Sequence, residues 1–235
     1  MHTAAAAAAA AETLKRLVKA LEKDVSRSSK RSSEDLGDAI NAALVLHGVR
    51  SGALLDHSYY TLQKPPAALL RAVTAEARRL KAKVKVLKSE AGHLIVFDAT
   101  AVSAPDQAVL GSSGWTNDMQ EPVLGAMGRA LGYACTYPQN DEPRRIMHFE
   151  AVLHGRETAS EDSVWLAGFF CKAGNVSHGD DGDKGDDVYK ACVDRWLAPA
   201  MQALGGAMLS YHGRSYMLSF RLATSKVRAR GGARG

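Results

Sequence analysis

His148 and Glu150 lie two residues apart and have residue types suited to zinc chemistry. In one kind of zinc site, an H-x-E sequence supplies a metal ligand and the general acid–base for the metal-bound water, while P-C-x-x-C supplies the thiolates. This chain has no C-x-x-C sequence, because Cys135, Cys171 and Cys192 are widely separated. We therefore interpret His148 and Glu150 as side chains on the exposed polar face of a β-strand, and we predict no metal and no cofactor.

Five aspartates lie in an acidic, glycine-rich loop between residues 179 and 187, a composition that would suit calcium. The EF-hand spacing is not met, since Gly185 stands at the place of the third ligand and no glutamate closes the loop. A helix is predicted directly after the loop, so Asp186 or Asp187 is explained as its N-cap. The sequence leaves open whether residues 180–187 bind a cation.

The chain shows no local signature of nucleophilic or phosphate chemistry. Residues 111–114 read Gly-Ser-Ser-Gly, but they lack the G-K-[ST] ending of a phosphate-binding loop and the G-x-S-x-G spacing of a nucleophile elbow. No histidine lies beside a cysteine or serine in a recognisable pattern. We therefore predict no catalytic residue, with an enzyme site assembled from residues far apart in sequence as an alternative.

The charge is unevenly distributed along the chain, whose formal net charge is +5. Residues 1–31 carry seven basic and three acidic side chains, and residues 221–235 carry five basic and no acidic ones. The 189 residues between them have a net charge of about −4. Two basic ends on a body of opposite sign indicate a folded domain that contacts a polyanion.

The basic side chains fall into a central group and a C-terminal group. The C-terminal segment resembles the RGG segments of RNA-associated proteins, which bind as disordered polycations. The nucleic-acid-binding candidates are Arg78, Arg79, Lys81, Lys83, Lys85, Lys88, Arg228, Arg230 and Arg234.

Lysine alternates with apolar residues from Lys81 to Val86, which is the period of a half-buried strand. We expect Lys81, Lys83 and Lys85 to be exposed and Val84 and Val86 to be buried. Lysines on such a strand have a second explanation, because they protect sheet edges against aggregation.

Several local patterns define elements of the body. A helix that ends near Leu46 has one apolar face. The strand that contains residues 81–86 and a second one at residues 93–100 are predicted to form a hairpin, and residues 146–153 and 164–171 form two further strands joined by a polar loop.

Pro199 should kink or split the last helix. In the last strand, Tyr216, Leu218, Phe220 and Leu222 face inward, and Met217, Ser219 and Arg221 face outward.

The order of predicted elements in the body is α, α, β, β, α, β, β, α, β. It indicates an α+β fold with a mostly antiparallel sheet built from hairpins and with helices packed on one face. We expect residues 1–33 to hold a disordered alanine tract, a short amphipathic surface helix and a linker. Residues 34–223 would form a single domain, in which residues 101–118 are a loop, and residues 224–235 a disordered tail.

Composition limits the cellular setting. No stretch approaches the ~20 apolar residues of a membrane span, so we expect no membrane contact. Three scattered cysteines favour a reducing, intracellular compartment. Organellar import is not favoured, because Glu12, Glu22 and Asp24 interrupt the basic N-terminal helix.

These observations predict a non-enzymatic protein that contacts RNA or DNA, or an assembly containing nucleic acid, through its basic tails and the lysine-faced strand. The alternatives are a scaffold protein whose body makes protein–protein contacts or self-associates, and the enzyme with dispersed site residues.

Overall fold

The computed structural model describes residues 4–25, 33–55, 64–88, 94–112, 121–133, 144–155, 161–172 and 186–226. Helices and two antiparallel sheets confirm the predicted α+β class. The helices are α1 (Ala4–Asp24), α2 (Leu36–Leu46), α3 (Ala67–Leu80), α4 (Ala104–Ser112), α5 (Glu121–Leu131), α6 (Asp186–Cys192) and α7 (Ala198–Leu204). The strands are β1 (Gly52–Leu54), β2 (Val84–Lys88), β3 (Leu94–Asp98), β4 (Arg144–Gly155), β5 (Glu161–Lys172), β6 (Met208–Tyr211) and β7 (Arg214–Lys226).

The larger sheet has the strand order β5-β4-β7-β6, and its β4–β5 hairpin was predicted. Alternate residues of each strand point to opposite faces. On β7 the predicted pattern is confirmed, with Tyr216, Leu218 and Phe220 buried and Met217 and Arg221 exposed. The inner face of this sheet contributes to the main hydrophobic cluster.

The smaller sheet has the order β1-β3-β2, and its β2–β3 hairpin was also predicted. Both of its faces are covered. Leu94 and Val96 of β3 pack in the main cluster, whereas Ile95 and Phe97 pack with α4 and α5 in a second cluster. The sequence predicts one sheet, but the structure divides the strands between two.

Helix α2 lies between the two sheets, and all eleven of its residues are buried. It packs against β5 of the larger sheet, β1 and β3 of the smaller sheet, and α1 and α3. The sequence predicted a helix here with one apolar face. A helix that is surrounded on all sides is instead apolar nearly all round, as this one is.

The expectation of a disordered alanine tract is wrong for Ala4–Ala11, which belongs to α1. Alanine has the highest helix propensity, and its small side chain permits close packing. Helix α1 is part of the core, because Leu14, Leu17 and Leu21 are at most 1% exposed. The carboxylate of Asp24 accepts bonds from the first backbone N–H groups of α3 at 2.8–2.9 Å, which caps that helix.

The expected loop over residues 101–118 is also wrong, since α4 occupies its first part. Ser103 caps the N-terminus of α4. The hydroxyl of Ser103 accepts a bond from the Asp106 N–H at 3.3 Å and donates to the Asp106 carboxylate at 2.8 Å.

The C-terminal part of the domain contains a strand that the sequence analysis missed. β6 joins β7 through a two-residue turn, in which both His212 and Gly213 have positive φ. β7 then continues through Lys226, paired with β4, so residues 224–226 are not part of a disordered tail. Residues 227–235 lie outside the described residues.

Pro199 was expected to kink or split the last helix, and the structure shows that the α-helical pattern is interrupted just before this residue. α6 passes through a π-helical turn, Val193–Leu197, into α7, where Pro199 lies in the first turn. The missing N–H of a proline costs little at that position.

Replacement of Leu17 by alanine is expected to destabilise the protein by about 2–5 kcal/mol, because it leaves a cavity between α1 and its neighbours. Urea denaturation measures this free energy. The matched control is Lys19→Ala, an exposed position on the same helix, for which about 0.5 kcal/mol or less is expected. Equal stabilities for the two variants would contradict the packing of α1.

Candidate functional site

The predicted central cations lie on an exposed surface where α3 passes into β2. Lys81 ends α3 in the left-handed conformation, with φ of 55°, and turns the chain directly towards the strand. We call these five exposed cations the basic ridge: Arg78, Lys81, Lys83, Lys85 and Lys88. On β2 the alternation of side chains places Lys85 and Lys88 on opposite faces of the strand.

Arg79 was predicted with this group but has a different role. Its guanidinium lies 2.8 Å from the Glu76 carboxylate, which also accepts a bond from Arg16 of α1 at 2.6 Å. Burial opposes ionisation of Glu76, but the bonds from Arg16 and Arg79 outweigh it, so the pKa of Glu76 lies below its ordinary value. Arg79 therefore helps to fix α1 against α3.

The predicted alternation along β2 holds in part. Lys81, Lys83 and Lys85 are exposed, as expected, while Val84 and Val86 are half-buried against the main cluster. The lysine face of β2 is not wholly polar, because α4 covers part of it. The Lys85 ammonium donates a 2.8 Å bond to the side chain of Gln107 on that helix.

Several predicted features fall outside the described residues. These are the tail arginines Arg228, Arg230 and Arg234 and residues 180–185 of the acidic loop. Among the residues that the structure describes, no three histidine, cysteine, aspartate or glutamate side chains are placed to hold a metal ion. None of the described helices is long and apolar enough to cross a membrane.

His148 and Glu150 share one face of β4, as expected, but the prediction that they are exposed is wrong. They are 4% and 5% exposed, because β4 is a central strand and its neighbours cover them. Arg221 of β7 donates a 2.7 Å bond to Glu150. Trp165 of β5 lies against His148, with ring centroids 4.2 Å apart, and burial lowers the pKa of His148.

A second candidate site lies where the edges of the two sheets approach each other. Arg50, just before β1, is only 3% exposed. Its Nη1 donates to the side-chain oxygen of Asn41 at 2.5 Å and to the carbonyl of Leu166 at 3.2 Å. The side-chain amide of Asn41, on α2, donates to the same Leu166 carbonyl at 3.0 Å and to the Leu54 carbonyl at 3.4 Å.

A β-bulge positions the Leu166 carbonyl. The β4–β5 register pairs Phe149 with Ala167 and Glu150 with Trp165, so Leu166 is the extra residue on β5. Bulges interrupt the ladder and turn backbone groups away from it. Here the released carbonyl accepts the bonds from Asn41 and Arg50.

The Arg50 guanidinium has neutral surroundings. Within the described chain no carboxylate lies in salt-bridge range of it, and its Nε has no hydrogen-bond partner. The rings of Phe149 and Trp196 lie 5.9 and 5.4 Å from its central carbon. Burial lowers the pKa of Arg50 to about 10, which leaves the group protonated at neutral pH.

Arg50 lines a pocket of about 160 Å³ at this junction, which we call the Arg50 pocket. Tyr133 forms part of the wall, and its hydroxyl donates a 3.3 Å bond to the Gly168 carbonyl. Trp165, which is 54% exposed, lies at the rim. The lining residues are Arg50, Leu54, Leu131, Tyr133, Trp165, Leu166, Ala167 and Gly168.

Sequence reasoning missed Arg50 and Asn41. The acceptor that they share, the Leu166 carbonyl on β5, lies more than 110 positions away along the chain. One local signal was present, since Asn41 lies in the middle of a helix that is apolar apart from Asp38 in its first turn. A polar residue inside a fully buried helix requires a partner.

Comparisons of this chain with protein-family models, curated proteins and solved structures found no match.

Replacement of Asn41 by leucine should destabilise the protein by about 3 kcal/mol or more, because it removes an acceptor from a buried cation and a donor from two carbonyls. Chemical denaturation measures the loss. The control is Ser51→Ala, which removes one neutral bond to the Ala130 carbonyl and should cost about 1 kcal/mol. A cost for Asn41→Leu no larger than that of the control would show that the fold does not depend on this contact.

Proposed function

We propose that the protein is a non-enzymatic nucleic-acid-binding protein, which contacts single-stranded RNA or DNA, or an assembly containing it, through the basic ridge and the C-terminal Arg/Gly tail. The observation that carries the proposal is the basic ridge, a run of exposed cations from the last turn of α3 to the end of β2.

The charge of the ridge supports polyanion binding. Arg78, Lys81, Lys83 and Lys88 form no ion pair with any described residue, unlike Arg79. Exposed lysines and arginines that lack a protein partner can neutralise phosphates and release the counterions that those phosphates hold.

The shape of the ridge supports an extended ligand. Lys83 directly precedes β2 and Lys88 ends it. A strand rises by about 3.3 Å per residue, so the two residues are roughly 17 Å apart in the strand direction, with their side chains on opposite faces. A stacked nucleic-acid strand carries one phosphate per about 3.4 Å of its axis, so about five phosphates span this length. The Arg side chains of the tail can also stack on unpaired bases, which favours single strands.

Replacement of Lys81, Lys83 and Lys88 together by alanine should weaken binding to single-stranded RNA at low salt. Three lost phosphate contacts should flatten the slope of log K against log salt by about 2 units. Fluorescence anisotropy of a labelled oligonucleotide across a salt series measures both quantities.

The matched control replaces Lys190, Arg195 and Arg214, three exposed cations on α6, the π-helical turn and β7, by alanine. It removes the same charge elsewhere on the surface. If both triple variants lose affinity and slope equally, net charge rather than the ridge governs binding.

Deletion of residues 227–235 tests the tail. The deletion begins after Lys226, because that residue belongs to β7. It removes Arg228, Arg230 and Arg234, and the single-strand salt slope should again flatten by about 2 units. Unchanged affinity and slope would show that the tail is not a binding element.

The full-length protein provides the decisive measurement. If it fails to bind single-stranded RNA and DNA at low salt, the nucleic-acid proposal is overturned, and protein–protein contacts of the body take its place as the leading function.

A further inference from the structure

We propose that the Arg50 pocket is a binding site for a small organic anion, whose carboxylate pairs with the Arg50 guanidinium while its planar apolar body contacts Tyr133 and Trp165. This site is separate from the basic ridge and does not depend on nucleic-acid binding.

The positive charge of Arg50 has no carboxylate in salt-bridge range among the described residues. A buried cation is costly unless it is paired, and within the described part of the chain Arg50 donates only to two neutral acceptors, the Asn41 side chain and the Leu166 carbonyl. Both bonds come from Nη1, and the buried Nε has no hydrogen-bond partner among the described residues. A guanidinium presents its donors in a planar fork that fits a carboxylate.

The second argument is the size and lining of the pocket. A volume of about 160 Å³ is close to the roughly 150 Å³ that accommodates a benzene molecule in an apolar protein cavity. Leu54, Leu131 and Ala167 form an apolar part of the pocket wall. An inorganic ion would make no favourable apolar contact with these side chains. The lining therefore favours an anion with an apolar body.

The third argument is the aromatic rim. Trp165 is 54% exposed, although large apolar side chains gain by burial. Its ring is held against that of His148 and so is fixed in place without being covered. A planar ligand in the pocket would contact this ring and bury part of it, in the offset or edge arrangements that aromatic pairs prefer.

Burial also decides which anions can reach the site. Arg50 is 3% exposed and lies behind the rim, so a phosphodiester chain cannot approach its guanidinium as it approaches an exposed lysine. A free small anion can enter the pocket. The anion proposed for Arg50 is therefore chemically distinct from the polyanion proposed for the ridge.

Binding of sodium benzoate to the full-length protein tests the proposal. Benzamide is the neutral probe of the same shape, and inorganic phosphate is the anion without an apolar group. Titration calorimetry gives the affinities, and the indole N–H signal of Trp165 in a ¹⁵N NMR spectrum reports the position. We expect benzoate to bind at least tenfold more tightly than benzamide, since a hydrogen bond to a charged group contributes at this level. We expect no saturable binding of phosphate.

Variants locate the site. Trp165→Ala should weaken benzoate binding by about two- to tenfold with the fold retained, because the residue is exposed. Met208→Ala, an exposed position on β6 at the opposite edge of the same sheet, is the control and should bind as the parent does. Arg50→Met should abolish the preference for benzoate over benzamide, provided that circular dichroism shows a folded protein.

Each other outcome overturns the proposal. Equal affinities for benzoate and benzamide would remove the role of the charge, and tight phosphate binding without benzoate binding would exclude an organic ligand. If Trp165→Ala binds benzoate as well as the Met208 control does, or if the Trp165 signal does not shift, the anion lies elsewhere. None of these results bears on RNA binding by the basic ridge, which is measured separately.

Discussion

The contact between Arg50, Asn41 and the Leu166 carbonyl is the constraint on which the arrangement of the two sheets depends. Strands β1 and β5 are edge strands, and such edges carry backbone groups without ladder partners. Buried backbone groups must be satisfied in some other way. At this junction two side chains supply the donors, so the sheets are joined through a buried amide and a cation rather than through a continuous ladder.

This solution has an electrostatic cost that a purely apolar junction would avoid. An asparagine alone could satisfy a carbonyl without bringing a charge into the core, yet Arg50 adds one, and its neighbours are neutral. The rings of Phe149 and Trp196 offset part of the cost through cation–π attraction. Natural sequences depart from locally consistent choices at functional or strained sites, and the burial of this cation beside a pocket led to the proposal for the Arg50 pocket.

The sequence predicted elements that are defined by local pattern. Period-2 alternation identified β2, β4 and β7 and their inward residues, since each strand carries its own pattern. The same reasoning could not show that α2 is surrounded, because a stripe of apolar residues does not reveal how many partners a helix has. Two elements that were missed have local signals in the sequence. Ser103 followed by Asp106 indicates the start of α4, and His212 followed by Gly213 indicates the β6–β7 turn. Arg50 was not predictable, because its burial depends on a bulge in a distant strand.

Burial separates the two groups of cations more sharply than charge does. The ridge lysines lie in water, where salt screens their interactions over about 10 Å, so they attract any polyanion and discriminate weakly among partners. Arg50 lies in a medium of low dielectric, where an unpaired charge is costly and screening is slight, so shape and hydrogen-bond geometry decide what can pair with it. Arg79 stands between these cases, because it shares the Glu76 carboxylate with Arg16 while part of its side chain remains exposed. The number of arginines and lysines in the sequence therefore overstates the positive surface that the fold presents, and it gives no indication that Arg50 is enclosed.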